Sequence, residues 1–317
     1  MSAILSGAGS SLPGQVLTND HFAYLDTTDE WITKRTGIHE RRWIGEGESL
    51  AGLATQAAED ALKQAGLCGS DVQRVIVATS TGDRLAPGLS VEVADRIGAN
   101  FPAAFDIAAS CAGFLCALDQ AVAAIETDRA EHVLVCGADA LSRITDKTDR
   151  GTVVLLGDGA GAVVVSKAPG ELRPTFALAA DGSKMDLLYV GWADRLLRMQ
   201  GRDIFDSAVQ AMADHSRLVL ERSGLTAENV DLFVPHQANI RIIRAVAREL
   251  DLPADKVFVN IEKVANTSAA SIPIALAQAA ADNVLLPGYV LGLAAFGAGL
   301  TWGAGLITWK PTKGAEL

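Results

Sequence analysis

The chain has 317 residues, of which 49% are hydrophobic and 5% aromatic, so it can bury a large core in one or two domains. Its formal net charge of −11 argues against general nucleic-acid binding. No apolar run reaches about 18 residues, and the N-terminus lacks a basic start and a continuous apolar region, so we expect neither a membrane span nor a secretory signal. The cytoplasm is therefore the expected compartment.

Two glycine-rich segments superficially resemble nucleotide-binding loops. Residues 7–9 follow a short apolar run, but Pro13 and Gly14 interrupt the helix that a dinucleotide fingerprint requires. Residues 157–161 precede a predicted strand at 163–165, whereas a phosphate-binding loop needs a helix there. Neither segment indicates a nicotinamide or nucleotide cofactor.

Cys111 interrupts an apolar segment at the start of a predicted helix. Residues 114–126 carry Leu115, Leu118 and Val122 at helical spacing. A helix N-terminus favours a thiolate, so we expect Cys111 to be the one cysteine that alkylates rapidly near neutral pH. The alternative is a packed core cysteine. The four cysteines, Cys68, Cys111, Cys116 and Cys136, have no paired spacing and indicate neither disulfides nor a zinc site.

Two later polar residues complete a candidate reaction centre. Pro235 ends an apolar strand and presents His236, and Asn266 lies between a predicted strand at 256–261 and an Ala-rich helix. Either residue alone would be read as a solvated or capping side chain. A thiol, an imidazole and an amide together are typical of acyl transfer.

The sequence repeats itself at an offset of 158 residues. Gly66-Leu67 recurs as Gly224-Leu225, residues 72–76 align with 230–234, and 117–121 align with 275–279. Residues 159–167 also resemble 303–310. We therefore predict two copies of one α/β unit, residues 1–169 with the cysteine and 170–317 with the histidine and asparagine. Cys111 then corresponds to Ala269, and the two strand-to-helix junctions converge on one site.

Eight segments in this order carry a family resemblance: residues 26–32, 35–38, 105–114, 148–152, 157–161, 235–239, 266–271 and 296–303. Over nearly its whole length the chain resembles the β-ketoacyl-acyl-carrier-protein synthase III family of thiolase-fold condensing enzymes. The resemblance implies an α/β fold of five layers, αβαβα, built from two duplicated halves.

The resemblance also implies a reaction. Cys111 would accept an acyl group from acyl-CoA, and a malonyl-acyl carrier protein would then condense with it by decarboxylation, which initiates fatty-acid or polyketide synthesis. His236 and Asn266 would stabilise the enolate, and the backbone N–H groups of Cys111 and Ala298 would form the oxyanion hole. Neither a metal nor a redox cofactor is expected.

Substrate and partner contacts follow from the same resemblance. The implied CoA-binding residues are Thr27, Trp31, Arg35, Arg150, Gly151, Arg202, Ala238 and Asn239, with Trp31 and Arg150 enclosing the adenine. Arg241, Arg244 and Arg248 share one helix face, and on the sequence alone an ordinary solvated face is slightly favoured. The resemblance reverses this preference and assigns the face to docking of the acidic carrier. Asp206 and Glu249 replace basic residues that can occur in the family.

The family forms homodimers through a strand near residues 103–109, and the loop at 85–88 reaches the acyl tunnel of the other subunit. Ala86 lies where a phenylalanine often closes that tunnel, so we expect primers larger or more branched than acetyl. Ser110, Val264 and Ala265 also depart from the usual family residues.

Three alternatives remain open. Within the same fold, an acyltransferase could act without decarboxylation, although the retention of Asn266 argues against this. A cysteine protease also orders its groups Cys, His, Asn, but the duplication opposes it. A non-catalytic partner subunit would typically lack the nucleophile, whereas Cys111 is present.

Overall fold

Two mixed β-sheets form the frame of the molecule, seen in a computed structural model that describes residues 2–169 and 172–311. The strands are β1 Ser2–Ser11, β2 Gln15–Thr18, β3 Glu40–Trp43, β4 Arg74–Ala78, β5 Ala103–Ile107, β6 His132–Ala140, β7 Asp158–Ala168, β8 Thr175–Ala180, β9 Leu188–Val190, β10 Leu197–Met199, β11 Leu232–Pro235, β12 Val290–Gly297 and β13 Thr301–Thr308. The helices are α1 Asp29–Thr36, α2 Leu50–Ala65, α3 Leu89–Arg96, α4 Gly113–Glu126, α5 Gly201–Ser223, α6 Ile240–Glu249, α7 Ile261–Val264 and α8 Ser271–Ala281.

The first sheet has the order β1-β7-β6-β4-β5, and β4 runs parallel to both β5 and β6. The second has the order β11-β12-β13-β8, with β11 parallel to β12. The remaining pairs within these two sheets are antiparallel. Two small two-stranded antiparallel sheets, β2–β3 and the β9–β10 hairpin, lie outside them.

Helices α4 and α8 lie between the two sheets and share one hydrophobic cluster with both inner faces. Strand alternation explains the layering, because successive side chains point to opposite faces. In β6, Val133 and Val135 face the central helices, whereas Leu134 and Cys136 face α2 and α3 outside. Helices α5 and α6 cover the outer face of the second sheet. The result is the predicted five-layer αβαβα arrangement.

The duplication is visible in the elements. Strands β4 and β11, helices α4 and α8, and strands β6 and β12 each begin 158 residues apart. The repeated Gly-Leu pairs are helix ends: Gly66 and Gly224 adopt left-handed φ angles of 69° and 65°. The following leucine N–H groups, of Leu67 and Leu225, bond back to the carbonyls of Leu62 and Leu220. This Schellman arrangement is why the sequence repeats there.

One predicted strand is wrong, and one boundary stays a prediction. Residues 256–261 make only a single bridge, between Phe233 and Val257, rather than a strand. Pairing stops because the Asn260 N–H bonds to the Gln237 side chain at 3.2 Å and α7 begins at the next residue. The proposed division after residue 169 falls at Gly170, which lies outside the described residues. Among the described helices, none is long and apolar enough to cross a membrane.

Contact between β7 and α8 yields a stability prediction. A Cβ on Gly161 would lie 2.5 Å from the Ile274 nitrogen and 2.7 Å from the Pro273 carbonyl carbon, both backbone atoms. We therefore expect Gly161→Ala to lower the free energy of unfolding by about 2 kcal/mol or more in urea titration. Gly182→Ala is the matched control, because nothing lies within 4 Å of its added Cβ. Equal effects of the two substitutions would contradict the close packing.

Candidate active site

Cys111 lies in a tight turn, Ser110–Ala112, between β5 and α4. Ser110 has a φ of 47°, and its counterpart in the second half, Ser268, has a φ of 53°. Such values are uncommon for residues other than glycine and often occur at functional sites. The two strained turns contact one another between the sheets.

Gly297 allows the end of β12 to approach this turn closely. A Cβ at this position would lie 2.7 Å from the Cys111 nitrogen. Asp139 is the counterpart of Gly297 in the first half, 158 residues earlier, and its carboxylate accepts a hydrogen bond from the Ala269 N–H at 3.2 Å. Ala269 is in turn the counterpart of Cys111. At this position the first half therefore has the carboxylate of Asp139, whereas the second half has Gly297, which has no side chain, next to the Cys111 thiol.

The protonation of Cys111 differs from the sequence expectation. Burial raises the pKa of the Cys111 thiol to about 11; a hydrogen bond from the Ser268 hydroxyl opposes the shift, and the Asp139 carboxylate adds to it. The position before α4 was expected to lower this pKa, but desolvation of the thiolate outweighs it. Burial likewise raises the pKa of Cys136 to about 12. Cys111 therefore rests as a thiol in the unliganded protein.

His236 follows β11 and is held at both ends. Its backbone N–H donates to the Ala294 carbonyl at 2.8 Å, and its Nδ1 lies 2.6 Å from the Ser271 hydroxyl. The side chain is buried, and burial lowers the pKa of His236 to about 4. The imidazole is therefore neutral near pH 7.

Asn266 is fixed from three sides. Its N–H donates to the Leu155 carbonyl and its own carbonyl accepts from Gly157, both at 2.9 Å. Its Oδ1 accepts the Ser268 N–H at 2.9 Å. Because Oδ1 is engaged there, Nδ2 is the end of the amide left to donate to a ligand.

Cys111, His236 and Asn266 line one cavity of about 590 Å³. Seven of the eight residues assigned to CoA also line it: Trp31, Arg35, Arg150, Gly151, Arg202, Ala238 and Asn239. Thr27 is the exception. It is buried and donates its hydroxyl to the Phe22 carbonyl at 2.7 Å, so it is not a wall residue.

Trp31 is flanked by two cations at the cavity wall. The guanidinium carbon of Arg35 lies 4.3 Å from the Trp31 ring centroid, and that of Arg150 lies 5.5 Å from it. Arginine stacks readily on aromatic faces, and both Arg side chains are exposed. The site can therefore bind a flat heterocycle next to anionic groups.

A second, smaller pocket of about 80 Å³ adjoins Cys111 and Asn266. Its walls are mostly aliphatic and include Leu141, Ile144, Leu156, Leu188, Val190 and Leu197. Sequence reasoning missed these residues. Three of them lie on the β9–β10 hairpin, where the alternation of apolar residues along the two strands is the signal that could have predicted them. Ala86 is exposed in the single chain and is not on this wall.

The predicted basic face lies on α6. Arg241, Arg244 and Arg248 are exposed, and Arg241 also reaches the cavity wall, with its guanidinium 5.4 Å from the Phe205 ring centroid. Glu249 on the same helix pairs with Arg217 at 3.1 Å. Within the described part of the chain, no group of three or more His, Cys, Asp or Glu residues is arranged to hold a metal ion.

The raised pKa of Cys111 gives a testable pH dependence. Only the thiolate is nucleophilic, so the iodoacetamide alkylation rate of Cys111 should rise about tenfold per pH unit between pH 7 and pH 10. Peptide-mapping mass spectrometry measures this rate, with the exposed Cys68 in the same digest as an internal control. A plateau below pH 8 would instead show that the helix N-terminus stabilises the thiolate.

Comparison with known proteins now identifies the family. Models described as 3-oxoacyl-[acyl-carrier-protein] synthase III and its C-terminal part match residues 105–182 and 220–309. The chain is 44% identical to a β-ketoacyl-[acyl-carrier-protein] synthase III of Ruegeria sp. strain TM1040, covering 97% of this chain and 99% of that protein. The corresponding Staphylococcus epidermidis enzyme is 42% identical, covering 98% and 99%.

Solved structures agree. The synthase III from Aquifex aeolicus superposes with a TM-score of 0.94 at 44% identity, covering 97% of this chain and all of that one. A priming β-ketosynthase from the R1128 polyketide pathway superposes with a TM-score of 0.94 at 32% identity, covering 98% and 97%. The chain therefore belongs to the β-ketoacyl-acyl-carrier-protein synthase III family of thiolase-fold condensing enzymes.

Proposed function

We propose that this protein starts fatty-acid synthesis by loading an acyl group from acyl-CoA onto Cys111 and condensing it with a malonyl-acyl carrier protein. The observation that carries the proposal is the meeting of Cys111, His236 and Asn266 on one cavity wall. A transferase that moves an acyl group without decarboxylation would have no need for two donors beside the thiol. Priming of a polyketide is the second candidate, favoured by the similarity to the R1128 priming ketosynthase.

The first half-reaction is thioester exchange. The Cys111 sulfur bonds to the acyl carbon, the bond from that carbon to the CoA sulfur breaks, and the thiol proton ends on CoA. The N–H groups of Cys111 and Ala298 would stabilise the tetrahedral oxyanion. Two observations support this. The Ala298 N–H donates to no protein acceptor within the described residues, and the N–H of Ala269, the counterpart of Cys111, already binds a carboxylate oxygen.

The second half-reaction is decarboxylative condensation. Loss of CO₂ from the malonyl group leaves an enolate, whose carbon attacks the acyl carbon on Cys111 and releases the sulfur. His236 Nε2 and Asn266 Nδ2 would donate hydrogen bonds to the enolate oxygen. A neutral imidazole suits this role, because it donates a hydrogen bond without placing a charge in a buried site. Electrons balance without a metal or redox cofactor.

The outer cavity suits the CoA nucleotide. We propose that adenine inserts between Trp31 and Arg150, which separate to admit it, and that Arg35 and Arg202 approach the phosphates. The backbone of Gly151 and the residues Ala238 and Asn239 would line the path to Cys111.

The basic face of α6 is proposed to dock the carrier protein. In the described part of the chain, Arg241, Arg244 and Arg248 form no ion pair with a carboxylate of this protein. The three arginines therefore form a positively charged surface on a molecule with a net charge of −11. This surface can steer an acidic partner to the cavity.

A homodimer through β5 is proposed from the free edge of the first sheet. Within the described residues, strand β5 pairs only with β4, and Phe105 on it is 38% exposed. An unprotected edge strand invites pairing with a second copy. Light scattering at micromolar concentration should give the dimer mass, and Phe105→Asp should shift it toward the monomer. A clean monomer mass for the unmodified protein would contradict the proposal.

The primer prediction concerns Ala86, whose loop would enter the partner's acyl pocket. Apolar burial contributes about 0.8 kcal/mol per methylene, so kcat/KM should rise roughly fourfold per fitting carbon from acetyl-CoA toward hexanoyl-CoA. Ala86→Phe should reduce hexanoyl loading more than acetyl loading, and Ala86→Ser is the size-matched control. The highest kcat/KM for acetyl-CoA, with a steep fall per carbon, would show that Ala86 does not open the pocket.

Substitution of the three central residues should separate the half-reactions. Cys111→Ala should abolish covalent acyl loading measured by intact mass. His236→Ala and Asn266→Ala should still load acyl groups but condense about 100-fold more slowly, because each loses a donor to the enolate. Cys116→Ala, on the helix that follows Cys111 but off the cavity wall, is the control for Cys111. Wild-type condensation by both donor variants would contradict the assigned roles.

A further inference from the structure

Ser271, the first residue of α8, has a hydroxyl in an unusual environment. Serine inside a helix commonly bonds back to the carbonyl four residues earlier, as Ser216 does to Met212 at 2.8 Å. The Ser271 hydroxyl instead lies 2.6 Å from His236 Nδ1, and both residues are buried. The Ser271 hydroxyl is therefore hydrogen-bonded to the imidazole of His236.

The protons at this hydroxyl can be assigned by elimination. The Gln237 N–H points to the Ser271 oxygen at 3.3 Å, so that oxygen accepts one hydrogen bond. Within residues 2–169 and 172–311, the only other polar group bonded to it is His236 Nδ1. A hydroxyl carries one proton, and a buried proton without an acceptor is costly. The Ser271 proton therefore goes to His236 Nδ1.

This assignment fixes the imidazole. When Nδ1 of a neutral imidazole accepts a hydrogen bond, the ring proton is on Nε2. The Nε2–H is then the group available on the cavity side, where His236 forms part of the wall. The other tautomer would present a lone pair to a carbonyl oxygen and repel it.

We propose that Ser271 is a positioning residue that holds His236 in its Nε2–H tautomer for the condensation step. The proposal rests on the proposed function. It also separates the half-reactions: an Nε2 that already carries a proton cannot take one from Cys111, so Ser271 should serve condensation and not acyl loading.

The test combines kinetics with nitrogen NMR. In wild-type protein labelled with ¹⁵N-histidine, the His236 resonances should show a protonated Nε2 and an unprotonated Nδ1. Ser271→Ala should load acyl groups within about twofold of wild type, whereas kcat for condensation should fall about tenfold or more with KM for the malonyl carrier nearly unchanged. Ser216→Ala, another buried helical serine, should leave both half-reactions unchanged.

Two outcomes would overturn the proposal: an Nδ1–H tautomer in the wild-type protein, or Ser271→Ala condensing within about twofold of wild type. If Ser271→Ala fails to fold, the wild-type spectrum alone decides between the tautomers. A wild-type protein that shows the Nε2–H tautomer but yields no β-ketoacyl product would refute the proposed function and leave the tautomer assignment intact.

Discussion

The close approach of two turns, one from each half of the chain, is the constraint on which the site depends. Gly297 allows the turn of Cys111 to pack against the second sheet, and Gly137 allows the turn of Ala269 to pack against the first. A Cβ on Gly137 would collide with the Ala269 carbonyl. Because both contacts involve backbone atoms, no side-chain rearrangement could relieve an added methyl group. The two halves are thereby held at a distance that brings a thiol from one half to a histidine and an asparagine from the other.

Burial at this junction sets the protonation of the reacting groups. The same desolvation that raises the pKa of Cys111 lowers the pKa of His236, so the resting site holds two neutral groups. A charged pair would have to be desolvated in the centre of the molecule, which is costly. Because both groups are neutral, the negative charge that develops in each half-reaction has to be stabilised by N–H donors. The Ala269 N–H in one turn donates to the buried Asp139, whereas the equivalent position in the other turn is Cys111.

Much of the fold and of the candidate site could be predicted from the sequence, for physical reasons that particular residues show. The offset of 158 residues survived because helix ends, strands and turns at equivalent positions have the same backbone requirements, as Gly66 and Gly224 show. Cys111 and His236 could be found because each follows a strand, whereas Asn266 follows the short helix α7 in place of the predicted strand. The lowered pKa expected for Cys111 from the sequence differs from the raised pKa that burial gives it, since a sequence shows the helix that follows a thiol but not how far the thiol is buried. The aliphatic pocket was missed because its walls come from residues 141–156 and a distant hairpin. Residues 256–261 have a strand-like composition, but the Asn260 N–H donates to the Gln237 side chain and not to a neighbouring strand.

We propose that one cavity carries out both half-reactions and that the malonyl carboxyl group is lost only in the second. A single turnover tests it most directly. Enzyme acylated on Cys111 is isolated and mixed with malonyl carrier protein labelled in its free carboxyl group. We expect one labelled CO₂ and one β-ketoacyl product for each acyl group that leaves Cys111. Departure of the acyl group without labelled CO₂ would contradict it and identify a simple acyltransferase.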